Sequence, residues 1–90
     1  MYRTAPGFIH RRIADADILV SIDVAAFNGY VTLNETCAFL WELMKQPQTA
    51  EQLAQSLTEQ YDVTYTQALV DVKEMLHTLV TRGVVQEVAQ

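Results

Sequence analysis

At Asn34 the hydrophobic pattern of this chain changes period, from the alternation of a β-strand to the 3.6-residue spacing of an α-helix. A chain with its strands gathered before such a boundary and its helices after it reads as α+β. Before the boundary, Ile18, Val20 and Ile22 alternate with Leu19 and Ser21, and β-branched residues are frequent from Phe8 to Leu33. Asn28-Gly29 stands between Val24-Ala25-Ala26-Phe27 and Tyr30-Val31-Thr32-Leu33, and this dipeptide supplies the positive φ angles of a type I′ hairpin turn. Asp15-Ala16-Asp17 is a second expected turn. The reading is three strands at roughly 8–13, 17–23 and 29–33. Residues 1–7, with Pro6-Gly7 and no periodicity, are expected to be a flexible or strand-leading N-terminal arm, leaving 8–90 as a single domain.

After the boundary the signals are local side-chain chemistry. Asn34 is a good N-cap, Glu35 suits the positive end of a helix dipole, and Pro47 must end the first helix. Thr49-Ala50-Glu51-Gln52 has the spacing of a capping box, and Leu53 and Leu57 then share one face of a helix to about Gln60. Thr64-Tyr65-Thr66-Gln67 repeats the device. The third helix sets Tyr65, Leu69, Val72, Leu76, Leu79 and Val80 on one stripe, and Gly83 follows as the C′ residue. Val84-Val85 is expected as a short strand or docking tail. The architecture is therefore an N-terminal three-stranded antiparallel sheet followed by three helices, similar to a winged helix-turn-helix.

Composition narrows the function. Half of the residues are hydrophobic and 19% are charged, which suits a packed globule. The net charge of −5 comes with only six basic residues, scattered along the chain, which disfavours a nucleic-acid partner. One cysteine, Cys37, excludes an internal disulfide and any multi-cysteine metal site, and points to a reducing, cytoplasmic location. No apolar run has the length of a membrane span. His10 and His77 belong to no metal-ligand spacing, so no metal is expected. Asp15 with Asp17, or Glu35 with Glu42, are explained by turns and caps rather than as acid/base pairs, and there is no glycine-rich phosphate loop. The reading is a non-catalytic binding module without a cofactor.

The order of elements, with Ile18-Leu19-Val20 leading to Asn28-Gly29-Tyr30-Val31-Thr32-Leu33-Asn34-Glu35-Thr36, resembles the PqqD-like family. Leu40-Trp41-Glu42-Leu43, Thr49-Ala50-Glu51-Gln52-Leu53, Tyr61, Asp71-Val72, Leu76, Leu79 and Gly83-Val84-Val85 extend the resemblance over about residues 8–86. It implies a domain that binds the leader segment of a ribosomally synthesised, post-translationally modified precursor peptide. Such a domain presents the peptide to a maturation enzyme such as a radical SAM protein, cyclase or leader peptidase. It further implies that the leader is added as an antiparallel strand on the third strand, beside the third helix.

The candidate peptide-binding residues follow. Tyr30, Val31, Thr32 and Leu33 form the sheet edge, where unpaired backbone groups can accept an extended chain. Val31 is the expected position for a proline that blocks a ladder hydrogen bond. On the third helix, Ala68, Asp71, Val72, Met75 and Leu79 are the candidates. Its apolar arc is wider than the ~100° a core requires, so one margin is free to line a groove. Met75 is an adaptable wall, with Asp71 and Arg82 just beyond it. The opposite margin, with Lys73, His77 and Val70, is the alternative. Two other functions fit the chain more loosely. One is a winged-helix DNA-binding regulator, and the other is a general protein-interaction or dimerisation domain, since an exposed edge also permits a homodimer by strand exchange.

Overall fold

The computed structural model describes residues 1–21 and 30–89. Among these the order is β1 (Tyr2–Thr4), β2 (Phe8–Ile13), β3 (Ala16–Ser21), β4 (Tyr30–Leu33), α1 (Glu35–Leu43), α2 (Ala50–Gln60), α3 (Tyr65–Thr81) and β5 (Val85–Glu87). The α+β reading holds, with four strands before the helices and β5 after them. The expected Asn28-Gly29 turn and the end of the second expected strand lie outside the described residues.

β2, β3 and β4 form an antiparallel sheet in that order, with Leu19 paired to both His10 and Val31. The β2–β3 turn differs from the expectation. Ile13 pairs with Ala16, so the two loop residues are Ala14 and Asp15, and Asp17 is a strand residue. Ala14 has φ 55°, and Asp15 is not among the positive-φ residues; positive φ at the first central position alone is the type II′ pattern. Asp17 is buried and its Oδ1 accepts a hydrogen bond from His10 Nε2 at 2.9 Å. A carboxylate buried with a partner explains what the sequence offered as a turn residue.

The helix boundaries follow the caps. Asn34 Oδ1 accepts from the Cys37 amide at 2.7 Å. Thr49 and Gln52 exchange both hydrogen bonds of a capping box. The second expected box is only half formed. Thr64 Oγ1 accepts from the Gln67 amide, while the Gln67 side chain donates to Asp71 Oδ1 at 2.8 Å instead of reaching back. α3 ends in a Schellman motif. Gly83 has φ +80°, its amide donates to the Val80 carbonyl, and the Val84 amide donates to that of Leu79.

Within the segment expected as a flexible or strand-leading arm, residues 2–4 form a strand. β1 pairs antiparallel with β5, Tyr2 exchanges two backbone hydrogen bonds with Gln48, and the Thr4 amide donates to Met44. Three residues are too few to display a period. The core joins Leu19, Val31 and Leu33 of the sheet to Leu40, Met44, Leu53, Leu57, Val72, Leu76 and Leu79 of the helices and to Val84 and Val85. Each fully buried aliphatic side chain contributes about 1.5–3 kcal/mol. Trp41 Nε1 donates to the Val84 carbonyl at 3.3 Å, which ties α1 to the approach to β5.

Candidate peptide-binding edge and groove

β4 lies at one end of the three-stranded sheet, and among the described residues no strand pairs with its second side. Its side chains alternate: Tyr30 and Thr32 are exposed, whereas Val31 and Leu33 are 4% and 5% exposed and belong to the core. The register also fixes where the backbone points. Ile13 and Ala16 flank a two-residue turn, so they form a hydrogen-bonded pair, and pairing alternates from there. Asp17 and Leu19 therefore bond toward β4, where their partners are Leu33 and Val31. The N–H and C=O groups of Tyr30 and Thr32 are left facing the open edge. This corrects the expectation for Val31, whose amide serves β3, and makes Thr32 the position where proline blocks the edge without breaking the sheet.

α1 begins where β4 ends, and α3 passes beside its first turn. Asn34, Thr36, Asp71, Glu74 and Met75 line a depression of ≈ 260 Å³. Cys37, Glu74, Met75, Thr78 and Leu79 line the next, of ≈ 230 Å³. The two share Glu74 and Met75, so they run on as one shallow groove between α3 and the start of α1. Asp71, held by Gln67, and Glu74 give it negative charge with no opposing cation in its lining. Burial raises the Cys37 thiol above its ordinary pKa, more than a hydrogen bond with the Asn34 backbone lowers it, so the groove carries a poorly ionised thiol.

The structure thus brings Asp71 and Met75 to the end of β4, with Leu79 farther along the same groove. It does not bring Ala68 and Val72 there: both are 0% exposed, enclosed in the core. The opposite margin of α3 faces elsewhere. Lys73, His77 and Val80 line a separate cleft of ≈ 430 Å³ with Met1, Tyr2 and Ala50. Asn34, Thr36, Cys37, Glu74 and Thr78 were not singled out as groove residues by the sequence. Asn34 through Cys37 adjoin the edge strand in the chain, which was the available signal; Glu74 and Thr78 had none, because the rotation of α3 is a tertiary property.

Behind the sheet, His10 is held between Asp17 and Glu42, with Nδ1 3.4 Å from Glu42 Oε1, while Lys45 Nζ lies 2.8 Å from Glu42 Oε2. These contacts join β2 and β3 to α1 and leave the imidazole in structural use. Among the described residues no group of three or more His, Cys, Asp or Glu residues is placed to hold a metal ion, and no helix is long and apolar enough to cross a membrane. What edge and groove can do together is hold an extended chain by its backbone and sort its side chains by shape and charge.

A family model described as Coenzyme PQQ synthesis protein D (PqqD) matches residues 16–85. Among curated proteins none matches the chain. Two solved structures share the fold. TbiB1 in complex with the TbiA(beta) leader peptide superposes with a TM-score of 0.77 at 16% identity, covering 98% of this chain and 99% of that one. Lasso peptide synthetase B1 complexed with the leader peptide gives a TM-score of 0.77 at 22% identity, covering 96% of this chain and 98% of that one.

Proposed function

The chain belongs to the PqqD family, and from that premise we propose that it is a non-catalytic domain binding the leader segment of a ribosomally synthesised, post-translationally modified precursor peptide. The leader adds to β4 as an antiparallel strand, and the chain presents the attached core peptide to a maturation enzyme in the cytoplasm. The observation that carries this reading is the open side of β4, where Tyr30 and Thr32 offer backbone groups next to a groove lined by Asp71, Met75 and Leu79. The two solved structures of the same fold each hold a leader peptide, which supports the same assignment here. The acidic lining favours a leader with an apolar residue over Met75 and a basic residue toward Asp71 and Glu74.

The test is a titration of labelled protein with synthetic leaders taken from short open reading frames adjacent to its gene. A cognate leader shifts the amides of 30–37 and of α3 around Asp71–Thr78. Thr32→Pro is expected to weaken that leader at least tenfold, because it removes an edge donor, while moving the unfolding midpoint little. A leader that binds Thr32→Pro and the parent equally well overturns strand addition at β4, and the absence of any perturbing leader overturns the function.

A further inference from the structure

An antiparallel sheet with one face on a core normally turns polar side chains to water from the other. Here the outward positions depart from that rule. Ile9 is 40%, Ile13 60% and Tyr30 67% exposed, and the partly exposed Ile18 and Val20 join them across the strands: Ile9 pairs with Val20, and Val20 with Tyr30. Their in-between neighbours His10, Leu19 and Val31 face the core side, so the apolar face is the outer one. Among the described outward residues of the three strands, Arg11 is the one that carries a charge. It stands between Ile9 and Ile13 and opposite Ile18.

From this face we infer that the outer surface of the β2–β3–β4 sheet is a second docking site, whose occupant is the maturation enzyme, through an apolar surface that carries a carboxylate opposite Arg11. The identity of the occupant rests on the proposed leader-binding function. Two features select it. The face is continuous with the peptide edge, because Tyr30 and Thr32 turn their backbone to the edge and their side chains to the outer face. A protein seated there lies beside the emerging peptide. Arg11 is also complementary to a carboxylate on the partner, and the charge of the chain as a whole disfavours self-association. The chain carries a net −5, which a second copy shares and which repels it. A contiguous patch of large apolar side chains on a small domain is a marker of protein association.

The experiment uses the purified full chain, each leader-modifying or leader-cleaving enzyme found among the genes neighbouring its own, and a synthetic leader that binds the parent. Ile13→Glu and Arg11→Glu are expected to weaken enzyme binding at least tenfold while leader affinity stays within twofold of the parent. Met75→Asp, in the groove and away from this face, does the reverse, lowering leader affinity and sparing enzyme binding measured without leader. Arg11→Gln falls between the parent and Arg11→Glu. Unaltered unfolding midpoints establish that the variants are folded. Folded Ile13→Glu and Arg11→Glu that bind the enzyme like the parent overturn the docking face and leave the leader site standing. Failure of every leader to bind the parent overturns the leader reading instead. A dimer of the parent in sedimentation that Ile13→Glu dissociates overturns the enzyme as occupant in favour of a second copy.

Discussion

At the scale of single residues, Ala14 is the position most at odds with its chemistry. Its φ of 55° places a Cβ where non-glycine residues lose roughly 1–2 kcal/mol. Ala14→Gly removes that strain at some entropic cost in the unfolded chain, and the net expectation is a gain of about 0.5–1 kcal/mol, read as a higher urea midpoint at unchanged m-value. A midpoint at or below that of the parent contradicts the assignment of strain to this turn. Cys37 makes a second case. Its thiol is half-buried and its pKa is raised by burial, so alkylation by iodoacetamide at pH 8 should run at least tenfold slower than in urea, and slower again with a cognate leader seated over the groove. Rapid modification of the folded protein, matched to the unfolded rate, argues against that environment.

At the scale of elements, the sheet is bound to α1 through His10, Asp17 and Glu42, and this tie has a pH dependence with a defined sign. Burial alone would raise the Glu42 carboxyl, yet the Lys45 ammonium and the His10 imidazole together hold it below its ordinary value of 4.5. A group lowered in the folded state contributes stability above its unfolded pKa and loses it as the pH falls through the folded one. The parent should therefore lose stability below about pH 5 more steeply than Glu42→Gln. The difference is small, because the Glu42 side chain is 43% exposed and screened. Denaturant midpoints between pH 7 and 3 give the comparison, and parallel curves for the two proteins contradict the tie. The same elements explain how much of the fold was legible. Asn34, Thr49 and Gly83 announce their helix ends because capping is chemistry between a side chain and its own neighbouring backbone. Gln67 shows the limit of that logic: the local pattern allows it to close a capping box, but Asp71 one turn ahead is the partner it takes. His10 with Asp17 was hidden, since only strand pairing brings them together. The site divides in the same way. Tyr30–Leu33 could be read as an edge from strand order, whereas the choice of the Met75 margin over the Lys73 margin required the packing of α3 against α1.

At the scale of the whole molecule, the first residues fasten three parts of the chain at once. β1 meets β5, Tyr2 meets Gln48 in the α1–α2 connection, and Thr4 meets Met44 at the end of α1. Removal of residues 1–4 should cost about 2 kcal/mol, from several backbone hydrogen bonds of ~0.5–1.5 kcal/mol each less the entropy regained by four residues. It should also hasten amide exchange at Val85–Glu87. Unchanged exchange there after truncation contradicts a β1 that supports β5. The proposed leader edge, β4, lies in the other sheet, so the truncated protein should retain peptide binding wherever it remains folded. The fastening has a further consequence. The Met1 amine donates to the Val88 carbonyl at 3.0 Å, so the two ends of the domain emerge side by side, away from the strand that would receive a peptide. A domain with adjacent ends can be spliced into a surface loop of a larger host, or circularly permuted through a short linker, with little distortion of either partner. In this fold such a graft would leave the open edge of β4 still available.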